Sequence, residues 1–318
     1  MSEKVKLGLI GMGAIGERIL HQFQQHGEFE IAALCDRNVD RLNKFKNELP
    51  DAAMYTDHLN MLQDETIKLI YLGAPPKFHH SIAMDIIRRG KNLLCEKPLA
   101  NSVEEAKEMV EAAERAKIVH AMNFPMVYSQ AYQVFKEKIQ SGDLGKIKKV
   151  ELHLHFTQWP RAWQKNEWIS SREQGGFIRE VAPHFIQMIH DVFGEMCDIN
   201  SFVEYPEDEL LCETSFISSM KLPRGIPVLF NGIAGIGQKD HLSFKVFGDK
   251  GTLDMVNWGI LSQSTAADNG VIIPLESSDT SSLAGELLKA IKGDSAKLVS
   301  FKEGYAVQKV LEELIKAN

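Results

Sequence analysis

Three short stretches carry residues whose types and spacing could do chemistry. In "GLIGMGAIGERI", Gly11, Gly13 and Gly16 stand in G-x-G-x-x-G spacing between an apolar run and a helical pattern. The first glycine permits a tight turn, the second lets backbone approach a pyrophosphate, and the third lets the helix pack on the sheet, so phosphate would sit at the positive helix N-terminus. The next apolar run ends in "ALCDRN", which puts Asp36 twenty residues beyond Gly16, where a carboxylate would accept from an adenosine ribose. Strand, glycines, helix and acid together predict a dinucleotide site lined by Gly11, Met12, Gly13, Ala14, Ile15, Gly16 and Asp36. Arg37 would stack on adenine or offset the repulsion between Asp36 and a 2′-phosphate. A turn needed only for packing, followed by a solvated acid, is the competing explanation.

The second stretch, "LLCEKPLA", places Glu96, Lys97 and Pro98 straight after Leu93 and Leu94. Proline cannot continue an ordinary ladder, so the strand ends there. From spacing alone Lys97 fits a surface lysine paired with Glu96 as well as a charge held at the carboxyl edge of a parallel sheet, where open α/β sheets bind ligands. In the third stretch Gly175 and Gly176 precede Glu180 and His184. Residues four apart share a helix face, so the carboxylate could hold one ring nitrogen and leave the other for proton transfer. Spacing alone favours an ordinary helix-surface ion pair.

These residues need elements to position them. Up to about residue 122, apolar runs alternate with helical patterns, which predicts βαβ units and a parallel sheet with strands at Val5 to Ile10, Phe29 to Cys35, Ile67 to Gly73, Asn92 to Cys95 and Ile118 to Met122. Ser102 and Glu105 form a capping box before an amphipathic helix. Beyond 122 the rhythm changes: a helix at about 128–140 leads into the alternating "KKVELHLHF". Further strands are expected at Ile199 to Tyr205, Leu211 to Lys221, Pro227 to Ala234, Leu242 to Phe247 and Gly251 to Val256, with helices at Val181 to Phe193 and Lys302 to Ala317. The predicted fold is α/β: a doubly wound Rossmann domain over 1–122, then an α+β domain over 123–318 with a mainly antiparallel sheet for substrate binding and oligomerisation.

With that fold in place, "LIYLGAPPKFHHSIAMDIIRRGKNLLCEKPLA" closely resembles the fourth strand through the "EKP" loop of the Gfo/Idh/MocA family, which includes glucose-fructose oxidoreductase and inositol dehydrogenase. The resemblance covers nearly the whole chain, continuing through "SGDLGKIKKVELHL", "GGFIREVAPHFIQMIHDVFG" and "VFGDKGTLDM". In such proteins the "EKP" lysine reaches the junction of nicotinamide and substrate, and the proline commonly follows a cis peptide. The resemblance implies an NAD(P)-dependent oxidoreductase that interconverts a secondary alcohol and a ketone on a sugar, polyol or related small molecule. Lys97 and His184 would handle the proton, with Glu180 as partner to His184. Ala74, Pro75, His79, Glu96 and Lys97 would lie by the cofactor, and Lys97, Asn123, Trp163, Glu180 and His184 by the substrate. The cofactor expected is NAD, with NADP possible, because Asp36 would repel a 2′-phosphate. Family members often associate through the outer face of the antiparallel sheet, which implies a homodimer or homotetramer.

Two departures stand out. The family typically has aspartate where this chain has Glu180, and many relatives have arginine where it has Pro125. Arg161, Lys165, Arg172 and Arg179 lie nearby in sequence but read as solvated or paired. Trp159, Trp163 and Trp168 offer flat faces for a sugar, or equally a core contact. An imine reductase on the same scaffold, or a silent dinucleotide sensor, are the alternative functions.

Composition removes other classes. A formal net charge of −7 with no basic run argues against a nucleic-acid partner. No apolar run is long enough for a membrane span, and four widely spaced cysteines without a CxxC pair fit a cytoplasmic protein. Glu151, His153 and His155 share one strand face but do not close a tetrahedron, so no metal is expected.

Overall fold

The apolar runs of the first 122 residues become buried parallel strands, and the amphipathic stretches between them become their covering helices. The structure, a computed structural model, describes residues 4–164, 166–275 and 282–316; Lys165 and Ala317 lie outside them. The elements are β1 (Val5–Ile10), α1 (Ala14–Gln24), β2 (Phe29–Cys35), α2 (Val39–Asn43), β3 (Ala53–Tyr55), α3 (His58–Met61), β4 (Leu69–Leu72), α4 (His79–Arg88), β5 (Asn92–Cys95), α5 (Val103–Ala116) and β6 (His120–Met122). The strands stand in the order β3-β2-β1-β4-β5-β6, all parallel. Chain direction across the sheet reverses between β1 and β4, so the loops after these strands frame the crevice where such sheets take ligands. Gly11 takes a φ of +91°, and a Cβ there would collide with the Gly73 carbonyl, so the two loops touch only because residue 11 lacks a side chain. At α5 half of the capping box forms: Ser102 Oγ accepts from the Glu105 N–H (3.1 Å), while the Glu105 carboxylate reaches the N–H of Asn101.

The second run of elements is α6 (Gln130–Gln140), β7 (Ile147–Phe156), α7 (Phe177–Phe193), β8 (Cys197–Glu204), β9 (Ser215–Lys221), β10 (Pro227–Ala234), β11 (His241–Gly248), β12 (Thr252–Val256), β13 (Ile260–Ser264) and β14 (Val271–Ile272), followed by α8 (Leu283–Ile291) and α9 (Phe301–Ile315). An eight-stranded sheet in the order β14-β13-β12-β11-β7-β10-β9-β8 results. It is mostly antiparallel, with β7 and β10 paired parallel at its centre. Alternation along β7 buries Val150, Leu152, Leu154 and Phe156 on the inner face, where α6 and α7 cover the sheet. Phe244 of β11 shows how: fully buried, it stacks on Phe135 of α6 (4.9 Å) and meets Phe185 of α7 edge-on (5.6 Å).

The chain divides into two compact units, Met1–Asn123 with Ser281–Tyr305 and Phe124–Thr280 with Ala306–Asn318. Residues 281–305 return to the first unit because Leu283, Ala284 and Leu287 of α8 bury an apolar stripe there and the Met122 N–H donates to the Val299 carbonyl (2.8 Å). Phe244→Ala should lower the stability of the second unit by about 3–5 kcal/mol in a urea titration, since the two helices leave a cavity that cannot collapse against a sheet. A loss below 1 kcal/mol would show that the aromatic cluster repacks.

Candidate functional site

The glycine loop has the shape a pyrophosphate requires. Gly13 is the N-cap of α1, and a Cβ built there would meet nothing within 4 Å, so the space over the helix N-terminus is open. Gly16 lies against the Gly11 carbonyl, which brings α1 close under the loop. Asp36 is buried; its Oδ2 accepts from the Met12 N–H and its Oδ1 from the Asn38 N–H, both at 2.8 Å. The acid therefore ties the end of β2 to the glycine loop. Arg37 is exposed, and the cation at the acid is Arg41, whose Nη1 lies 3.3 Å from Asp36 Oδ2. Asn38 caps α2 and turns Arg41 back toward Asp36, a geometry that residue spacing alone does not announce.

At the end of β5 the "EKP" loop is braced from below. Glu96 is buried, and its Oε1 accepts from the Tyr71 hydroxyl (3.0 Å) and from Asn123 Nδ2, while Oε2 takes the Lys97 N–H at 3.3 Å. Burial raises the Glu96 pKa; Asn123, Lys97 and Tyr71 pull it back toward the ionised form. Asn123 Oδ1 is buried with no hydrogen-bond partner among the described residues. His79 is fully buried, with Nδ1 2.9 Å from the Pro98 carbonyl and Nε2 2.7 Å from that of Ala74. It joins the "APP" and "EKP" loops from inside. Burial lowers the His79 pKa, against the opposing pull of the backbone at Ala74, Pro98 and Leu99. Lys97 is half-buried and the Lys97–Pro98 peptide is cis.

In the second unit Glu180 and His184 ride on α7. Gly176, the N-cap, has a φ of +93°, and a Cβ there would collide with the Glu213 carboxylate. That carboxylate, 4% exposed, accepts from the Ile178 N–H at 2.7 Å and so caps the helix from outside its own sequence. Glu180 and His184 follow on one face, half-buried, with Pro183 between them removing the N–H that would bond the Arg179 carbonyl. The His184 ring stands edge-on between Phe124 (5.7 Å) and Trp258 (5.6 Å), and Trp258 stacks on Phe185. Trp258 sits in the tight turn between β12 and β13, outside every stretch singled out from sequence. Asp191 is taken by Tyr132 and by Lys136 (2.8 Å), and burial pushes His190 down to about 4, so both serve α7 structurally.

The arginines near the glycine pair separate. Arg179 donates to the carbonyls of Arg172 and Gly175, and Arg172 lies over the Tyr205 ring. Arg161 instead lies over Trp163 (4.9 Å), Trp159 (5.3 Å) and Phe156 (5.9 Å). Trp163 is half-exposed, while Trp159 is anchored through Nε1 to the Ile169 carbonyl (3.2 Å).

A six-stranded parallel sheet with an open glycine cradle and a buried acid after β2, joined in one chain to a mostly antiparallel α/β unit, defines a two-domain protein with a dinucleotide-binding fold. Residues 5–124 match the oxidoreductase family's NAD-binding Rossmann fold and residues 136–318 its C-terminal alpha/beta domain, so the chain belongs to the Gfo/Idh/MocA family. It is 24% identical, over 72% of its length and 58% of the relative's, to 1-carboxy-3-chloro-3,4-dihydroxycyclohexa-1,5-diene dehydrogenase of Comamonas testosteroni. To myo-inositol 2-dehydrogenase of Thermotoga maritima it is 22% identical over 60% of this chain and 55% of that one. The chain thus spans between half and two thirds of the length of these curated relatives. The structure of the WlbA dehydrogenase from Bordetella pertussis, in complex with NADH and UDP-GlcNAcA, shares the fold with a TM-score of 0.83 at 19% identity, over 98% of this chain and 95% of that one.

Glu213 has a measurable signature. Burial raises its pKa from 4.5 to about 7, against the opposing pull of the Ile178 N–H and Arg179. Between those values the folded chain holds a proton that the unfolded chain has released, so the group's contribution is fully present below pH 4.5 and is lost as pH rises through 7. Glu213→Gln keeps an acceptor for Ile178 and removes this dependence. Relative to wild type, the variant should gain about 3 kcal/mol of stability between pH 4.5 and pH 8. Parallel stability curves for the two proteins across that range would show that Glu213 does not titrate in this window.

Proposed function

We propose that the protein is an NAD(P)-dependent oxidoreductase that interconverts a secondary alcohol and a ketone on a sugar, polyol or related small molecule. The observation that supports this reading is Asn123: it donates through Nδ2 to Glu96 under the "EKP" loop and keeps Oδ1, which has no hydrogen-bond partner among the described residues, as an acceptor that a polyol hydroxyl would satisfy. Family membership supports the same chemistry, and the inositol and cyclohexadiene dehydrogenases among the relatives act on ring alcohols by name.

The residues divide the work by charge. A bound nicotinamide supplies the two-electron exchange. Lys97, a cation, stabilises the substrate oxygen as negative charge grows on it, and His184 takes or returns the hydroxyl proton at a ring nitrogen. Glu180 stabilises the imidazolium. Phe124 and Trp258 hold the ring plane of His184, so its nitrogens keep their direction through the exchange. Asp36 directs the choice toward NAD, with Arg41 close enough to soften the repulsion of a 2′-phosphate. For the assembly we propose a homodimer or homotetramer through the outer sheet face, where one cross-strand row carries Phe202, Ile217 and Ile260 at 62%, 56% and 52% exposure.

Lys97→Met should lower turnover of a polyol substrate by roughly a hundredfold or more while leaving dinucleotide affinity within about threefold. Normal turnover by the variant would sink the role of Lys97. Calorimetric titration should give tighter binding of NAD than of NADP, and Arg41→Ala should widen the gap by weakening NADP selectively. Equal or tighter binding of NADP by the wild type would show that Arg41 outweighs Asp36.

A further inference from the structure

The structure offers a cation close to Glu180. Arg161 hydrogen-bonds through Nε to Gln164 Oε1 (3.2 Å), and the same oxygen accepts from the Arg161 backbone N–H (3.0 Å), which fixes the direction of the side chain. Trp159, Trp163 and Phe156 wall the guanidinium. Among the described residues Nη1 and Nη2 make no hydrogen bond. Burial lowers the Arg161 pKa, with Glu180 and then Asp240 pulling the other way, yet an arginine stays charged at any physiological pH. A partly desolvated guanidinium with its terminal fork open is costly to hold unless an anion completes it.

We propose that Arg161 is a substrate-recognition residue that takes the carboxylate of a polyhydroxy acid, such as a uronate or aldonate. This rests on the reading of Glu180 and His184 as substrate-facing groups. The planar fork matches a carboxylate in two parallel hydrogen bonds, and the rings on either side suit the C–H face of a sugar. Glu180 and Asp240 make the surroundings negative, which tolerates a monoanion better than a phosphate dianion. The same arrangement orients the substrate: its carboxylate goes to Arg161, and Glu180 repels it, so the hydroxyl end is left for the proton-transfer face.

The test is a tryptophan-fluorescence titration of the full chain saturated with NAD, using glucuronate, galacturonate and gluconate against glucose and glucose 6-phosphate. At least one acid should bind saturably, glucose should need a concentration roughly tenfold or more higher, and glucose 6-phosphate should bind more weakly than the acid. Arg161→Met should weaken the acid roughly 10- to 100-fold, and Arg161→Lys by an intermediate factor, since lysine keeps the charge and loses the fork. Circular dichroism establishes that both variants are folded. No binding by any acid, equal binding of glucose, tighter binding of glucose 6-phosphate, or unchanged acid affinity in Arg161→Met each overturns the proposal. Turnover of a bound acid that is indifferent to Lys97→Met would sink the proposed reaction while Arg161-dependent binding still upheld this assignment.

Discussion

The buried carboxylate of Glu96 is the constraint on which the first unit's site depends. Three strand ends meet on it: Tyr71 from β4, Lys97 just beyond β5 and Asn123 just beyond β6 all donate to its two oxygens. A carboxylate removed from water is tolerated only when its acceptor sites are filled, and here donors from three strand ends fill them. The Lys97 loop cannot shift without breaking a bond to a group that has no solvent to fall back on. His79 adds a second tie from beneath, so the loop is held by side chains from β4, β6 and α4 rather than by its own conformation.

The second unit repeats the device with different parts. Glu213, on the approach to β9, reaches the first turn of α7, and only a glycine at 176 leaves room for it. In both units a buried acid satisfies backbone N–H groups at the start of a functional segment, and in both burial and hydrogen bonding pull its charge state in opposite directions. Asp36 does a related job between β2 and the glycine loop.

Periodicity and spacing made most of this architecture legible. The strands β1, β2 and β5 begin and end where their apolar runs do, and the glycine loop lies between β1 and α1 as its spacing predicts. Short or edge elements were not legible: β3, β13 and β14 hold two to five residues, too few for alternation to show, and α8 lies beyond the last expected strand. The parallel pairing of β7 with β10 was also hidden, because strand spacing reports turns, whereas this pair is joined only after α7, β8 and β9 have intervened. Arg41, Tyr71, Glu213 and Trp258 share one reason for escaping notice. Each acts on a residue 5 to 74 positions away, at a contact that only the folded chain creates.

The return of residues 281–305 to the first unit bears on how the chain is made. The edge strand β6 finds its outer partners late: Val299 accepts from Met122, the Phe301 N–H donates to His120 Nδ1, and Gly304 packs on the Met122 side chain. A ribosome therefore releases most of the second unit, more than 150 residues, before the nucleotide-binding sheet can be finished at its β6 edge. During that interval β6 is an open edge with unpaired backbone groups, the kind of surface that chaperones cover. Because the chain passes between the units after residues 123, 280 and 305, the two are interleaved, and neither can be cut out by a single break.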